Sequence, residues 1–543
     1  MDHHRSVLGR RRRRRRRRSG RGGAVVVSAG ATSVALGVIA VFVAWPVLRI
    51  LGRGLSADEV VHVFTDGRLR AILAFTLVQA VLSTVGAVAV AMPAAWLVGR
   101  HQFPGRQLLM AVWVGPFTLP TVVVGLAARQ LLPQGLRRGL FAIVCAHIFF
   151  NVGIAVRTIG SAWSRLDPRP EEAAATLGAT PWQVFRLVTL PRLAPAMAAV
   201  AGLIAALCLT SFGVVLLLAT PRQSTVEVEI WRQTTQFLRL DRAGALAMVQ
   251  LLLVSVALVL TSRGHMRTDL RQRAVETRRQ LSRLARPVAI LVGVGTTALT
   301  VVPMMLLVER SLRSAQGGHG MQAYRSLTHV TRGSGLVDSP ASSVSMSIRI
   351  AVPAAILATV LGLVAALVVG RGIGGPVMAA AFGLPLAVSA VTLGFGFLIA
   401  FARAPVAWRS KPWILAVLQA VVAVPFVQRM VEPAVRRMDP RLAEVAATLG
   451  VSPLAVWRRV QLPILTRPIL SGTGIAFAVA LGEFGATTFL ARPGTVTMPV
   501  AIARLAGRPG AVLAAQSLAL AVVLGALTIV VTVMADLAGQ ESH

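Results

Sequence analysis

Two polar segments in an otherwise apolar chain carry the residues whose types and spacing could act on a partner. Residues 167–178 read DPRPEEAAATLG and residues 439–450 read DPRLAEVAATLG, so the second copy lies 272 positions after the first. The pairing continues to the Leu-Pro pairs that end in Pro191 and Pro463. A carboxylate near a helix start and a glycine after the helix suit docking better than bond-breaking chemistry. The duplication predicts two docking sites.

Each copy predicts a helix, a glycine turn and a second short helix. Asp167 and Asp439 are candidate N-caps, and each precedes a proline at the first helical position, where a missing N–H loses no partner. Gly178 and Gly450 stand where a left-handed residue ends a helix. Helices this short are marginal in isolation, so both need a surface. Lying on lipid headgroups is the alternative, but small Ala and Thr side chains favour a protein groove.

Catalysis by this chain is not expected. A phosphate-binding loop requires a lysine after a glycine-rich turn, and the single lysine, Lys411, follows an Arg-Ser pair. The polar loops contain no Ser/His/Asp or metal-ligand cluster in their sequence, and His147 lies in an apolar run, where packing is its ordinary role. Cys145 and Cys208 also lie in apolar runs and predict no disulfide framework. We predict no catalytic residue and no metal site.

The elements that must position these segments are membrane helices. Of 543 residues, 55% are hydrophobic and 14% are charged, and the mean hydropathy is +0.71, whereas soluble domains carry about a quarter charged residues. Apolar runs near the ~20 residues needed to cross a bilayer predict an all-α integral membrane protein. The twelve predicted spans are 25–50, 71–97, 107–129, 139–157, 195–219, 243–263, 287–309, 343–370, 375–402, 412–430, 469–491 and 511–536.

Basic residues set the predicted orientation. The formal net charge is +36, and nine consecutive arginines, Arg10–Arg18, lie in a polar tail, residues 1–23, that we predict to be disordered. Positive residues stay in the cytoplasm, so an even number of spans places both termini, both polar segments and a basic linker, 264–286, on that side. The predicted halves are residues 24–263 and 287–543, with six helices each.

The Arg10–Arg18 run leaves other interpretations open. Its expected role is topological, with some attraction to anionic lipid. Nucleic-acid binding would follow from the same charge, but membrane topology already accounts for that charge, and a nucleic-acid partner is not expected. A twin-arginine export signal is a further alternative, although the following apolar run is too long for a signal-peptide core. A membrane anchor that recruits nucleic acid or lipid is therefore one competing function.

The two halves are related beyond the polar segments. Ser211 aligns with Glu483, and Arg157 aligns with Arg429, at the same offset of 272. Because each half has an even number of predicted spans, both copies enter the membrane in the same direction. This parallel repeat predicts a pathway along the axis between the halves.

The polar segments resemble a known motif. Their order, Glu-Ala-Ala, three residues, Gly, nine residues, an aliphatic residue, one residue and Leu-Pro, is similar to the cytoplasmic loop of binding-protein-dependent ABC importer permeases. The second copy departs once, with Val445 at the first alanine. The resemblance implies a type I importer permease fold, with two parallel six-helix repeats and a separate ATPase docked on the loops. The residues that it assigns to ATPase coupling are Glu172, Ala173, Gly178, Pro191, Glu444, Ala446, Gly450 and Pro463.

The resemblance also implies partners, a location and a cargo. An ATPase homodimer on the cytoplasmic face would bind ATP and Mg²⁺, and this chain would hold no cofactor. A substrate-binding protein would deliver a small molecule from outside the plasma membrane of a bacterium. Fused halves are typical of thiamine and ferric-iron permeases. The segments FPGR at 103–106, AHIFFN at 146–151 and VEVEIW at 226–231 look most like the thiamine group, so thiamine is favoured and ferric iron is next.

Polar groups inside the predicted spans are candidates for a translocation pathway. Glu483 would favour a cation, and Ser211 and Asn151 are the other candidates. The alternative for Glu483 is an ion pair with Arg429 or Arg492 at a span end. The rival function is a six-plus-six secondary transporter driven by an ion gradient, which would be expected to carry several intramembrane acids. Prolines in the third and ninth spans predict kinks.

Overall fold

The structure is a computed structural model and is almost entirely helical. It describes residues 29–54, 57–269, 278–283, 285–313, 318–373, 375–402, 408, 411–439 and 441–540. Two short strands within these ranges, β1 (His101–Gln102) and β2 (Arg279–Gln280), pair in parallel. The predicted tail 1–23 lies outside the described residues, as does the middle of the predicted linker, residues 270–277.

The first half begins with one continuous helix, in which a π-turn (Ala40–Ala44) joins α1 to α2, and ends with a long helix that continues into the predicted linker. Its helices are α1 (Ala29–Ile39), α2 (Trp45–Gly54), α3 (Ala57–Thr65), α4 (Gly67–Arg100), α5 (Arg106–Val114), α6 (Thr121–Leu131), α7 (Leu140–Trp163), α8 (Arg169–Thr176), α9 (Pro181–Val184), α10 (Leu190–Leu209), α11 (Gly213–Leu218), α12 (Val226–Thr235) and α13 (Leu240–Asp269). A π-turn, Phe185–Thr189, joins α9 to α10.

The second half repeats this order from α16 onward. Its helices are α14 (Arg286–Ser311), α15 (Gln322–Arg325), α16 (Ser342–Gly370), α17 (Gly375–Ala387), α18 (Ala390–Ala400), α19 (Trp413–Arg437), α20 (Arg441–Thr448), α21 (Pro453–Val456), α22 (Leu462–Gly482), α23 (Thr487–Leu490), α24 (Met498–Ala506) and α25 (Ala511–Gln540). A π-turn, Trp457–Gln461, joins α21 to α22 at the position equivalent to the first π-turn.

The count of membrane helices agrees with the prediction when two bent pairs are included. Among the described residues, 10 helices are long and apolar enough to cross a membrane, and the number rises to 12 if each bent pair is one span. The chain bends by 107° between the helices Arg106–Thr118 and Thr121–Leu131, and by 87° between Gly375–Pro385 and Ala390–Ala400. These pairs are the predicted third and ninth spans. The predicted kinks are therefore sharp breaks, since proline cannot continue the helical hydrogen bonds.

Two predicted spans had the wrong limits. The sequence placed them at 195–219 and 469–491, whereas the continuous helices run from Pro181 to Leu209 and from Leu454 to Gly482. Each helix begins earlier because a π-turn keeps the chain helical through the Leu-Pro pair. Each also ends earlier, although the residues after the break are apolar. Hydropathy alone does not register such a break inside an apolar run.

Close helix crossings repeat in the two halves. Helix α4 packs along α7, and α16 packs along α19. A Cβ atom on Gly99 would lie 2.8 Å from the Gly160 carbonyl oxygen, and one on Gly362 would lie 2.6 Å from Val427 Cβ. Side chains do not approach this closely, so both crossings require glycine. Such contacts supply the van der Waals packing that associates helices in lipid.

A hydrogen bond at the start of α12 is repeated at the start of α24. Thr76 Oγ1 accepts from the Val226 N–H at 3.1 Å, and Ser347 Oγ accepts from the Met498 N–H at 2.7 Å. Both N–H groups belong to the first residue of a helix, where no intrahelical partner exists. The same solution at equivalent positions supports the predicted parallel repeat.

Candidate functional site

The first helix of each repeated loop is capped as the sequence predicts. We call residues 167–191 the first repeated loop and residues 439–463 the second. Asp167 Oδ1 accepts from the Arg169 N–H at 3.0 Å, and Asp439 Oδ1 accepts from the Arg441 N–H at 2.9 Å. Each aspartate therefore satisfies an N–H that the helix start leaves open. The helices α8 and α20 begin one residue later than the sequence indicates.

A left-handed glycine ends α8 and α20, as predicted. The φ angle is +86° at Gly178 and +74° at Gly450. Open space surrounds both positions, because no atom lies within 4 Å of a Cβ atom built on either glycine. The requirement for glycine is therefore conformational and not steric. The predicted second short helix is not separate: α9 and α21 continue through their π-turns into the membrane helices α10 and α22.

Both repeated loops present apolar side chains to solvent. In the first loop the exposed fractions are 88% for Leu177, 66% for Trp182 and 70% for Leu187. Leu449 and Leu454 are exposed at the positions equivalent to the first two. Glu172 and Glu444, the glutamates of the motif, are exposed on the adjoining helices α8 and α20. Clustered exposed apolar side chains beside a carboxylate are typical of a protein-binding surface.

Glu171, which the sequence analysis did not single out, connects the first repeated loop to the helical bundle. Its Oε2 forms an ion pair with Arg100, the last residue of α4. Its Oε1 accepts a hydrogen bond from the Thr189 hydroxyl at 2.7 Å. In addition, Arg192 donates to the Asp167 carbonyl oxygen at 2.9 Å. Only the difference between the two copies could have pointed to Glu171, because its counterpart is Ala443.

The second half joins the equivalent groups differently. Arg371 follows α16 as Arg100 ends α4, and Gln461 occupies the position of Thr189. Arg371 donates to Gln461 Oε1 at 2.9 Å. In the second half, Arg371 at the end of α16 therefore bonds directly to Gln461. In the first half, Glu171 lies between Arg100 and Thr189 and bonds to both.

The end of α10 is held by amide side chains from two other helices. Gln79 on α4 donates to the Cys208 carbonyl oxygen at 3.0 Å, and Gln250 on α13 donates to the Leu209 carbonyl oxygen at 2.9 Å. The last carbonyls of a helix have no intrahelical partner, and inside a membrane no bulk water replaces it. These two glutamines therefore provide the hydrogen bonds that the carbonyl groups of a helix end require within the bundle. Neither glutamine belongs to a motif that the sequence predicts to be functional.

The predicted pathway residues Ser211 and Asn151 meet at one histidine. His147 Nε2 lies 2.8 Å from Ser211 Oγ, and His147 Nδ1 lies 3.0 Å from Ser83 Oγ. Asn151 Nδ2 donates to the His147 carbonyl oxygen at 2.9 Å. Asn151 Oδ1 is buried without a hydrogen-bond donor among the residues that the structure describes. This cluster lies wholly within the first half.

Glu483 performs a capping role at the equivalent break in the second half. Its Oε1 accepts from the Ala486 N–H at 2.7 Å, and its Oε2 accepts from the N–H and the hydroxyl of Thr487. The carboxylate thus satisfies the N–H groups that open the next short helix. The alternative ion pair with Arg429 or Arg492 is not formed among the described residues. The first half caps helix carbonyls at this break, and the second half caps helix N–H groups.

Helix α12 carries two fully buried glutamates, Glu227 and Glu229. The sequence marked them only as members of the segment VEVEIW, which resembles thiamine permeases. Gln250 donates to Glu227 Oε1 at 2.8 Å, and the Ser389 hydroxyl of the other half lies beside the same carboxylate. Glu229 accepts from Gln233 at 2.7 Å and lies 3.7 Å from an Arg68 nitrogen. Helix α12 packs against α18 of the other half. Glu227 therefore places a fully buried carboxylate on a helix at the interface between the halves.

Metal-ligating side chains do not gather in the described part of the chain, where no group of three or more His, Cys, Asp or Glu residues could hold a metal ion. The prediction that this chain binds no cofactor stays a prediction.

Comparisons with known proteins identify relatives of the whole chain and of its halves. A family model described as "Binding-protein-dependent transport system inner membrane component" matches residues 91–272 and again 342–541. The thiamine transport system permease protein ThiP of Brucella melitensis biotype 1 is 27% identical over 504 residues, which cover 88% of this chain and 89% of the relative. ThiP of Escherichia coli (strain K12) is 26% identical, with 87% and 89% covered.

A third relative and a solved structure match about one half of the chain. The sulfate transport system permease protein CysT of Escherichia coli (strain K12) is 31% identical over 227 residues, which cover 39% of this chain and 82% of CysT. A crystal structure of a bacterial ABC transporter involved in the import of the acidic polysaccharide alginate is 20% identical, with a TM-score of 0.32, and covers 46% of this chain and 92% of that chain. The family assignment rests on the sequence matches.

Proposed function

The chain belongs to the family of binding-protein-dependent transport system inner membrane components, and from this premise we propose that it supplies both membrane halves of a thiamine importer. Membership makes it a permease subunit of an ABC importer and a multi-pass membrane protein. The observation that carries the choice of thiamine is the match to the two ThiP proteins over nearly nine-tenths of both chains. Ferric iron, the second candidate from the sequence, has the shared fusion of halves in its favour.

The two repeated loops are the proposed docking sites of a separate ATPase homodimer on the cytoplasmic face. The exposed apolar residues Leu177, Trp182 and Leu449 would be covered by that partner. ATP and Mg²⁺ would be bound by the ATPase, and a substrate-binding protein would deliver the cargo from the opposite face. The proposed coupling residues are Glu172, Ala173, Gly178, Pro191, Glu444, Ala446, Gly450 and Pro463. This orientation places both termini in the cytoplasm, as the excess of arginine in that side's loops favours.

The proposed cargo pathway runs between the halves, past the two helix breaks. Glu483, Ser211 and Asn151 remain proposed pathway residues, and Glu227 joins them. Both oxygens of Glu483 cap backbone N–H groups, whereas Glu227 has only side-chain partners, Gln250 and Ser389, among the described residues. A buried carboxylate favours a cation, because isolated charges in a membrane require a counter-charge. Glu227 is therefore the better placed of the two acids to accompany a cationic cargo.

One reconstitution tests both the mechanism and the cargo. The chain would be placed in proteoliposomes with its ATPase and its substrate-binding protein, and uptake of labelled thiamine would be followed with ATP, without ATP, and with an imposed ion gradient. We expect uptake that requires ATP. Uptake driven by the ion gradient alone would instead support the six-plus-six secondary transporter. Calorimetry of the binding protein with thiamine and with ferric iron identifies the cargo, and tight binding of iron alone would exclude thiamine.

The coupling role of the motif glutamates has its own test. Glu172→Ala combined with Glu444→Ala should weaken co-purification of the ATPase by at least about tenfold, since a charged hydrogen-bonding group at a protein contact contributes ~1.5–3 kcal/mol. Wild-type recovery of the ATPase by this variant would contradict the assignment of both glutamates.

A further inference from the structure

We propose that Glu171 is a positioning residue that anchors α8 to the bundle, and that Ala443 at the equivalent position of α20, which cannot form such an ion pair, makes the two docking sites mechanically unequal. The inference rests on the proposed function of the two repeated loops as ATPase docking sites. It adds to that function a difference between the loops, which their common motif conceals.

The anchor holds the start of α8 from two sides. Arg100 and Glu171 are only 12% and 18% exposed, so their ion pair is partly shielded from water. Thr189 is buried and donates to the same carboxylate. One turn away, Arg192 holds the Asp167 carbonyl oxygen. The helix is thus tied at its first residues both to α4 and to α10.

Apolar packing does not replace these polar contacts. No residue of α8 is buried. A cleft of about 330 Å³ separates the loop from the bundle, and its walls include Trp96, Trp163 and Phe185 beside Arg100 and Glu171. A short helix that spans a cleft derives little stability from burial. The carboxylate of Glu171 therefore contributes much of what fixes the position of α8.

The second half has apolar residues at two of the positions that form the anchor. The residue equivalent to Glu171 is Ala443, and the residue equivalent to Arg192 is Ile464. Neither side chain can accept or donate the corresponding bond. Arg371 instead donates to Gln461, which lies on the membrane helix itself. The end of α16 is thereby tied to the continuous helix Leu454–Gly482, which contains α22.

The two loops should consequently respond differently to the same force. Movement of an ATPase subunit against the first loop would move α4 and α10 together with α8, because the anchor connects α8 rigidly to both helices. Against the second loop, α20 would turn about Gly450, a residue in open space with a left-handed backbone. A symmetric ATPase dimer would then produce an asymmetric opening of the halves.

Hydrogen exchange of the chain alone, in lipid nanodiscs without the ATPase, tests the anchor. In the wild type we expect the amides of α8 to exchange more slowly than those of α20. Glu171→Ala should raise the exchange rate of α8 by about tenfold, the effect of losing a hydrogen bond to a charged group. The charge swap of Glu171→Arg with Arg100→Glu should restore most of the protection. Glu432→Ala, which removes an ion pair with Arg436 inside α19, is the matched control and should leave α8 unchanged.

The outcomes separate this inference from the proposed function. Equal wild-type exchange in α8 and α20, or an α8 rate within twofold of wild type in Glu171→Ala, would overturn the anchor. Failure of the ATPase to co-purify would overturn the docking role and leave the exchange result standing. With the ATPase reconstituted, Glu171→Ala should still hydrolyse ATP but move fewer thiamine molecules per ATP. An unchanged ratio would show that the anchor does not bear on transport.

Discussion

The rings of Phe212 and Phe484 stack across the interface between the two halves, with their centroids 5.1 Å apart. Both side chains are buried, and each follows the break that ends a long membrane helix, α10 in one half and α22 in the other. The two breaks, which the repeat makes equivalent, therefore meet in space. Any motion that separates the halves must part this aromatic pair.

Removing one ring should loosen the contact between the halves. Phe212→Ala is expected to lower the free energy of unfolding by about 3 kcal/mol, because a large buried aromatic leaves a cavity. Unfolding in mixed detergent micelles measures this change. Phe212→Leu keeps most of the volume and should be close to wild type, and a loss as large in the leucine variant would mean that volume is not the cause.

Glu483 can be assigned to capping or to the pathway by two substitutions. Glu483→Ala leaves the Ala486 and Thr487 N–H groups without their acceptor, at a cost of about 1–3 kcal/mol for each buried group. Glu483→Gln retains one acceptor oxygen and should be less destabilising. If Glu483 only caps the helix, thiamine uptake should follow stability in both variants. Loss of uptake in a stable Glu483→Gln protein would place the charge in the pathway.

Glu227 should affect transport more than folding. Glu227→Gln keeps the oxygen that accepts from Gln250 and removes the charge beside the interface between the halves. We expect thiamine uptake to fall at least tenfold while the unfolding transition shifts little. The control is Glu229→Gln on the same helix, whose carboxylate already has Gln233 and Arg68 beside it. Equal uptake in the Glu227 variant and the wild type would remove Glu227 from the pathway.

The left-handed glycines of the repeated loops give a backbone prediction. Gly178→Ala and Gly450→Ala should each destabilise the loop by about 1–2 kcal/mol, because a side chain disfavours the positive φ angle. Neither substitution creates a clash. Hydrogen exchange of residues 167–191 and 439–463 measures the effect. Gly295→Ala in α14, which also has open space around it and has no positive φ, should show no such change.

His101 predicts a pH dependence at the C-terminal end of α4. Burial lowers the pKa of His101 below its usual 6.5, and its ring packs edge-on against Trp96. The unfolded chain therefore binds this proton more readily than the folded chain, so stability is full above pH 6.5 and falls as the pH drops below it. The melting temperature should decrease between pH 7.5 and 5.5, and His101→Gln should reduce that decrease. An identical pH response in both proteins would contradict this role.

Much of the architecture could be predicted because it depends on local patterns. Long apolar runs give the membrane helices, and the Asp-Pro start and the glycine end of each repeated loop are set within about ten residues of chain. The caps of Asp167 and Asp439 and the left-handed Gly178 and Gly450 are all present. Each of these features is decided by neighbours in sequence, where propensity and capping rules apply.

Several features that could not be predicted from the sequence depend on distant partners. Glu171 meets Arg100 across 71 residues, counted from their numbers, and Gln79 reaches the Cys208 carbonyl 129 positions away. A glutamine in a membrane helix shows that a polar partner is needed, but not which helix end supplies it. The breaks after Leu209 and Gly482 were likewise hidden, because apolar residues lie on both sides of each break. Tertiary contacts decide where these helices stop.

The π-turns before α10 and α22 join each repeated loop to a membrane helix as one continuous helix, so that the loop and the membrane helix can tilt together. The continuous helix from Pro181 to Leu209 has 29 residues, which at 1.5 Å per residue is a rod of about 43 Å. Trp182 lies at its N-terminal end, which we call the outer end. At its C-terminal end, the inner end, Gln79 and Gln250 donate hydrogen bonds to the last carbonyl groups. A tilt of about 5° at the outer end would sweep the inner end through roughly 4 Å over that length. Such a displacement is longer than a hydrogen bond, so the same movement would break the hydrogen bonds that Gln79 and Gln250 donate to the helix end.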